Sequence, residues 1–449
     1  MDRILFILFR VTSSTVFWLR RRLTSAGLFV LASLVASGAV GLDTNLTLAY
    51  QIFTLLLALL LLSFVADFLV RTRVDARRIL PRFGTAGRPL TYHIRVTGRE
   101  RKTLHGLVLE ELLADPRPTW REYSSAADPG PAHRRSWPGK FGYARWRSLL
   151  GEKRVAVIKD QVVDAVSQAG ENEVRIEVTP SRRGVMRFEG MFVSRCDPFG
   201  LVKAGAALPL QQSMLILPRR YPLPPVRLPG TRVYQQGGVS LAGSIGDSEE
   251  FVSLRDYQPG DPLRRIHWKS WARTGKPVVK EYQEEFFVRH ALVLDTFRGS
   301  GSPSAFEEAV SVAASFAFTV DTQESLLDLL FVGAEVYCVT MGRGIGRAEQ
   351  ALETLASVRP CTTRPFEDLR RAVMARAAGL SGCICILLTW DDARRRFLNG
   401  LKELGIPVLA IVIIDPGAPD AARPDPAENR VHALEVGKIG EGLASLRLS

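Results

Sequence analysis

The side chains with the densest chemistry lie between Glu249 and Glu285, where seven acidic and seven basic residues surround one turn and one short helical pattern. Pro259-Gly260 predicts the centre of a tight turn, because Pro presets φ at its second position and Gly accepts a positive φ at its third. Asp261-Pro262 predicts a helix start: Asp261 can accept from first-turn N–H groups, and Pro262 needs no N–H of its own there. Leu263, Ile266, His267 and Trp271 recur at helical spacing, Arg264, Arg265, Lys269 and Arg273 lie round the rest, and Gly275 ends the run. Lys276 to Gln283 predicts a strand. Arg255, Asp256, Asp261, Arg273, Lys280 and Glu281 are then placed to pair across short elements. Charges so dense form either a solvated face, worth little, or a network in which Arg holds carboxylates bidentately. Trp268, if buried, should contribute about 3–5 kcal/mol.

No catalytic constellation accompanies these residues in the sequence. Gly275-Lys276 is followed by Pro277 and has Ser270 where a phosphate-binding loop needs its first Gly. The six His are scattered without a His-Glu-x-x-His pair, which argues against a zinc hydrolase. Gly238-Val239-Ser240-Leu241-Ala242 lacks the second Gly of a nucleophile elbow. Gly342, Gly344 and Gly346 lack the strand-then-helix setting of a dinucleotide fingerprint. The five Cys have no Cys-x-x-Cys spacing and read as buried reduced thiols, with Cys383 and Cys385 on one face of a strand.

The elements that must position the 249–285 stretch begin at a membrane. Between Leu23 and Val70 there is no Lys or Arg, and the apolar runs 24–42 and 46–66 each approach the ~20 residues that cross a bilayer core. Asp43-Thr44-Asn45 breaks them. Arg10 and Arg20 to Arg22 precede the hairpin and Arg71, Arg73, Arg77, Arg78 and Arg82 follow it, which predicts cytoplasmic termini and a two-pass protein of the plasma membrane. A removable signal peptide would need a cleavage site and an oxidising destination. Met1 to Phe9 is too short to span and is expected to lie in the interface, within an interfacial segment 1–23.

Residues 80–220 alternate short apolar runs with Gly, Pro and Asp, the pattern of a β-sandwich or small barrel. Within them an insert, 117–160, interleaves Trp120, Trp137, Phe141, Tyr143 and Trp146 with Arg134, Arg135, Lys140, Arg145, Arg147, Lys153 and Arg154. Three readings stand: a solvated loop with a few packed rings, an anionic membrane surface, or stacking on single-stranded nucleic acid. A Pro-rich and Gly/Ser-rich linker, 221–248, follows. Residues 286–449 alternate buried strands with helices and predict a doubly wound parallel sheet. Asp295 and Asp391 fall at the carboxyl ends of its strands, where such sheets bind ligands.

Arg255-Asp256-Tyr257-Gln258-Pro259-Gly260-Asp261, then Arg265-Ile266-His267-Trp268-Lys269 and Ala272-Arg273, resembles the signature of the bacterial and archaeal family called domain of unknown function 58. Asp197-Pro198-Phe199-Gly200-Leu201, with Pro218 after it, resembles the segment that precedes that signature. The resemblance implies two transmembrane helices, a β-rich middle, a von Willebrand factor A-like α/β domain and a MoxR-type AAA+ ATPase as partner. It also implies an interaction surface on Arg255, Asp256, Tyr257, Pro259, Gly260, Asp261, Arg265, Trp268, Lys269 and Arg273.

An A-like domain often holds Mg²⁺ through Asp-x-Ser-x-Ser and a distal Asp. The corresponding residues are Asp295-Thr296-Phe297-Arg298-Gly299 and Asp391, so Phe297 and Gly299 stand where hydroxyls belong and Arg298 opposes a cation. Thr296, Ser300 or Ser302 could substitute. The alternative is that Asp295 caps a loop and that Asp391 or Asp392 caps the next helix. Three functions follow from these residues: a membrane-anchored interaction module, an enzyme of unknown type with its site in 249–285, or a metal-dependent adhesion module.

Overall fold

The computed structural model describes residues 2–40, 47–69, 74–98, 103–126, 142–158, 160–166, 172–224, 250–261, 263, 266–283, 288–297, 302–319, 325–342, 348–417, 423–424 and 430–446. They fall into two compact units, Met1–Arg219 and Arg220–Ser449.

The first unit opens with helix α1 (Asp2–Arg22), one continuous helix that runs through Phe9 to the Arg20–Arg22 cluster. The apolar helices α2 (Ser25–Val40) and α3 (Thr47–Leu69) follow and pack on each other. Over Leu48–Ala66, α3 is long and apolar enough to cross a bilayer; α2 is as apolar but has 16 residues.

Ten strands then build two sheets, from β1 (Val74–Ile79), β2 (Phe83–Thr85), β3 (Leu90–Gly98), β4 (Leu104–Leu113), β5 (Ala156–Ile158), β6 (Gln161–Val166), β7 (Asn172–Pro180), β8 (Gly184–Cys196), β9 (Lys203–Leu208) and β10 (Gln212–Leu217). One sheet has the order β1-β3-β7-β5; the other runs β2-β10-β8-β4-β6, with β9 also paired to β8. Alternating side chains such as Tyr92, Ile94 and Val96 from one sheet and Met186, Phe188 and Met191 from the other meet in a single core, so the strands form a sandwich. A buried network fastens the two sheets. Arg78 of β1 donates to Glu111 of β4, Tyr92 Oη donates to the same carboxylate at 2.8 Å, and the guanidinium lies 4.4 Å from the Phe188 ring centroid. Burial and the neighbouring Glu111 carboxylate push the Tyr92 hydroxyl well above its ordinary range, so it remains a donor.

The insert is not an irregular loop. Its described part forms α4 (Trp120–Ser125), opened by a capping box between Thr119 and Glu122, and α5 (Tyr143–Lys153). Their rings turn inward onto α1: Phe6 lies 5.3 Å from Trp120, 5.5 Å from Tyr123 and 5.5 Å from Trp146. Trp146 is buried and Trp120 half-buried in this cluster, Tyr143 remains exposed, and Trp137 and Phe141 lie outside the described residues.

The second unit begins with a two-stranded antiparallel ribbon, β11 (Glu250–Asp256) and β12 (Val278–Gln283), joined through α6 (Trp268–Thr274). Its main sheet comprises β13 (Val288–Leu294), β14 (Ser325–Val332), β15 (Val336–Met341), β16 (Gly382–Leu387), β17 (Val408–Ile414) and β18 (Val431–Glu435). The order is β15-β14-β13-β16-β17-β18, parallel except for β15 at its edge. Helix α7 (Pro303–Thr319) packs on β13, β16 and β17, with α8 (Ala348–Ser357) against α7. On the other face, α9 (Phe366–Met374) and α10 (Asp392–Glu403) close over Ala291, Val293, Leu330, Cys383 and Cys385; α11 (Ile439–Ala444) lies beside β18. Both faces are covered, which is why the central strands read as unbroken apolar runs. Cys361, Cys383 and Cys385 are buried thiols, but Cys196 is exposed at the end of β8, where the strand leaves the core.

Candidate functional site

In the ribbon, Arg255 pairs with Val279 and Asp256 with Val278, so the chain leaves and re-enters at adjacent positions. The connection starts with the tight turn: Asp261 N–H donates to Gln258 O at 3.0 Å, and Gly260 has φ +111°. Asp261 closes this turn with its side chain as well as its N–H. Its carboxylate takes the Arg255 fork through two 2.7 Å hydrogen bonds and also accepts from Gln258 N–H at 2.9 Å. Leu263 stands in a 3-10 turn, and the α-helix α6 begins at Trp268. Before it, Ile266 bridges to Val279 and His267 N–H donates to Val278 O at 2.9 Å, so edge pairing with β12 claims the backbone that helical spacing had assigned to a first turn. Ile266 and Val279 are buried together, and Gly275, at φ +69°, ends α6 as its type allows.

The ribbon's outer surface departs from expectation at Trp268. Its ring is 62% exposed and stacks on Trp271 with centroids 5.2 Å apart and planes 20° apart. A core contribution of several kcal/mol is therefore excluded. Leu254 and Leu263 are exposed as well, as are Asp256, Pro259, Gly260, Lys269 and Arg273, while Tyr257 is half-buried. Tyr257 N–H donates to Pro277 O at 3.0 Å, tying the turn back to β12. Arg265, with Pro262 and Arg264, lies outside the described residues. His267 Nδ1 lies 2.6 Å from Ser270 Oγ, a local contact at the helix start. The Arg255–Asp261 pair is partly solvated and worth about 1 kcal/mol or less in stability; its structural effect is to hold the turn in one geometry.

At the carboxyl end of the main sheet, Asp295 and Asp391 do converge, on a cation that the chain itself supplies. Arg394 Nε donates to Asp295 at 3.1 Å, and Arg394 Nη1 donates to Asp391 at 2.7 Å. The guanidinium also stacks 4.1 Å from the Phe366 ring centroid. Asp295 is fully buried and receives the N–H groups of Phe297 at 3.0 Å and Leu388 at 3.3 Å. Burial raises its pKa, and Arg394 works against that shift. Asp391 caps α10 by accepting from Arg394 N–H at 2.9 Å.

The donor set does not fit Mg²⁺. Phe297 is buried against Phe366, and Thr296 Oγ1 is spent on Val332 O. Ser302 caps α7 while bonding Asp415. Arg298, Gly299 and Ser300 lie outside the described residues. Among the described residues no cluster of three His, Cys, Asp or Glu side chains is placed to hold a metal. Sequence reasoning missed Arg394, although its i, i+3 spacing from Asp391 at a helix start was a usable signal.

The Asp197–Leu201 segment is a second ordered device. Asp197 Oδ1 accepts the N–H groups of Leu201 at 2.7 Å and Val202 at 2.8 Å, and Oδ2 accepts from Phe199 at 3.1 Å. The loop so formed offers its carbonyls to the start of α2: Thr24 N–H donates to Leu201 O at 3.0 Å and Thr24 Oγ1 to Gly200 O at 2.6 Å. Leu23, Leu201 and Val202 are buried together with Leu28 and Leu31 of α2 and Leu59 and Phe64 of α3 packed against them. A Cβ on Gly27 would sit 2.1 Å from Leu201 O, so only glycine permits this approach.

A β-sandwich carrying apolar N-terminal helices, followed by an α/β unit with an exposed Arg/Trp ribbon, defines the architecture. Residues 253–432, which hold the ribbon and most of the α/β unit, match the family described as "Protein of unknown function DUF58". A curated relative, "Uncharacterized protein YeaD" of Bacillus subtilis (strain 168), is 29% identical over 178 residues, covering 39% of this chain and 42% of that protein. The match thus spans less than half of the relative's length. Among solved structures, a cohesin module from the family 33 glycoside hydrolase of Clostridium perfringens ATCC13124 aligns over 98% of its length and 32% of this chain. Its identity is 7% and its TM-score 0.17, too low to inform fold or function.

Proposed function

We propose that this protein is a membrane-anchored interaction module whose ribbon, 250–283, docks a protein partner on the cytoplasmic side. The observation that carries it is the exposed Trp268 ring, stacked on Trp271 beside Leu263 and Arg273 on a connection ordered by Arg255 and Asp261. Trp and Arg are the residue types that dominate binding energy at protein interfaces, and a prefixed geometry lowers the entropy lost on docking. The partner we assign is a MoxR-type AAA+ ATPase, on the strength of the resemblance of the Arg255–Arg273 motif. Two-pass insertion of α2 and α3 with both termini cytoplasmic is part of the same proposal, supported by the apolar span in α3 and the Arg residues that flank the pair. The order of the main sheet and the buried Asp295 at the end of its first strand support a von Willebrand A-like unit, in which Arg394 replaces the metal.

Capture of the ATPase by the detergent-solubilised full chain tests the docking role. Trp268→Ala should weaken capture by at least tenfold, since an interface anchor costs ≥ ~2 kcal/mol on truncation. It should leave thermal unfolding unchanged, because the ring is exposed. Arg255→Lys and Asp261→Asn should weaken capture by loosening the turn. Undiminished capture by all three variants would leave the ribbon a structural clasp.

A further inference from the structure

Helix α1 has two faces that are both apolar, and only one of them is used by the protein. Phe6 and Phe9 point into the insert, where Phe9 lies 5.5 Å from Tyr143 and 6.1 Å from Trp146. At 3.6 residues per turn, Ile4, Ile7, Leu8, Val11 and Trp18 share an arc of about 100° on the opposite side. All five are exposed, from 53% at Ile7 and Leu8 to 74% at Ile4. The two Thr hydroxyls within or beside this arc are satisfied inside the helix. Thr15 Oγ1 donates to Val11 O at 3.0 Å and Thr12 Oγ1 to Leu8 O at 2.8 Å, the arrangement an apolar medium demands. Arg3 and Arg10 are exposed beside the arc. Two residues separate α1 from the apolar α2, and the junction is fixed by the Asp197–Leu201 loop.

We propose that α1 lies in the plane of the membrane, with Ile4, Ile7, Leu8, Val11 and Trp18 sunk into the interfacial layer of an anionic leaflet and the Trp120–Lys153 helices held on its back. α1 cannot span, because Arg10 sits at its middle and Phe6 and Phe9 are packed against the insert. An apolar face continuous with membrane-embedded helices, bordered by Arg and carrying a Trp near its end, has the composition of an interfacial helix. A helix lying there adds a second contact with the lipid to the one that the hairpin makes through the Asp197–Leu201 loop.

This rests on the membrane reading of α2 and α3, and the test separates the two. Nitroxides are placed by Ile7→Cys, Val11→Cys, Leu61→Cys and Glu152→Cys in the full chain carrying Cys196→Ser, reconstituted into phosphatidylcholine/phosphatidylglycerol vesicles. Collision rates with O₂ and with a water-soluble nickel chelate are then measured. Ile7 and Val11 should favour O₂ several-fold, as Leu61 on α3 does, and Glu152 should favour the chelate. If Leu61 reports lipid while Ile7 and Val11 match Glu152, the in-plane helix is wrong and the hairpin stands. If Leu61 also reports water, the membrane reading itself fails. Dipolar broadening at Ile7 that vanishes on dilution with unlabelled chain would instead assign the face to a second copy and overturn the proposal.

Discussion

Replacing Arg394 by Met removes the internal cation while keeping much of the side-chain volume over Phe366. Asp295 then keeps two backbone N–H groups but loses both guanidinium contacts, and its carboxylate is fully buried. Stripping one partner from a buried pair costs about 3–5 kcal/mol, because the remaining charge is uncompensated. At 1.4 kcal/mol per tenfold, local opening of β13 and α10 should rise by roughly two to three and a half orders of magnitude. Peptide-resolved hydrogen exchange on the full chain in detergent reads this directly and avoids assuming two-state unfolding of a two-unit protein. The pH dependence has a definite sign. An acid whose folded pKa is raised binds more protons folded than unfolded, so acidification stabilises the folded form through that group. Without Arg394 to oppose burial the shift is larger, and the deficit of Arg394→Met should shrink as pH falls through the raised pKa. Asp295→Asn in the same chain should restore much of the loss, since the amide leaves no buried charge. Exchange within tenfold of wild type at neutral pH, with no difference in pH response, would refute the account of Arg394 as the site's cation.

Millimolar Mg²⁺ should leave the melting temperature of the full chain unchanged; a rise of several degrees that Asp295→Asn abolishes would show a metal displacing Arg394. His290, buried in β13 with Nδ1 unpartnered, has its pKa lowered to about 4 by burial. Its unfolded form therefore binds the proton first, and stability present above about pH 6.5 is lost as pH falls towards 4, by about 3 kcal/mol. His290→Leu should remove that part of the acid sensitivity, measured as the difference between the two unfolding profiles. Gly27→Ala should speed exchange at 197–202 by more than tenfold by forcing the loop off α2, whereas Gly151→Ala, with open space at its Cβ, should not.

How much of this was legible follows from which groups decide each feature. Strands β13, β14, β16 and β17 were readable because both faces are buried and the residues say so one after another. The Pro259-Gly260 turn was readable because φ preferences are local. The start of α6 was not: Ile266 and His267 continue the helical spacing, but the competing partner for their backbone is Val278 and Val279, a dozen residues away. Trp268 was misjudged for a related reason. Once the helix begins at residue 268, its first position faces outward, and the ring it stacks on is Trp271 of the same helix. The insert stayed open among three readings because the partners of Trp120 and Trp146 are Phe6 and Phe9, more than a hundred residues upstream. Asp295 was legible at its strand end because the apolar run stops there, whereas Arg394, the cation beside it, comes from a helix about a hundred residues downstream and escaped.

The distribution of Arg residues bears on what the net charge of +13 is for. Arg78 with Glu111, Arg394 with Asp295 and Arg289 with Asp328 are pairs whose carboxylate is buried, so their fields are neutralised within the protein. They add to the Arg count but offer nothing to a polyanion. Helix α1, by contrast, carries five Arg against one Asp. Arg21 is engaged by Glu110 at 3.3 Å, while Arg3, Arg10 and Arg20 face outward. Each basic side chain close to an anionic leaflet is worth about 1 kcal/mol, and the attraction dies within about 10 Å at ordinary salt. Charge of that reach acts only where apolar contact has already brought the helix to the surface, and the exposed Ile4–Trp18 face of α1 is the feature that would do so. The proposed in-plane placement would account for the Arg residues of α1 and its exposed apolar residues together, whereas a nucleic-acid partner would explain the first but not the second.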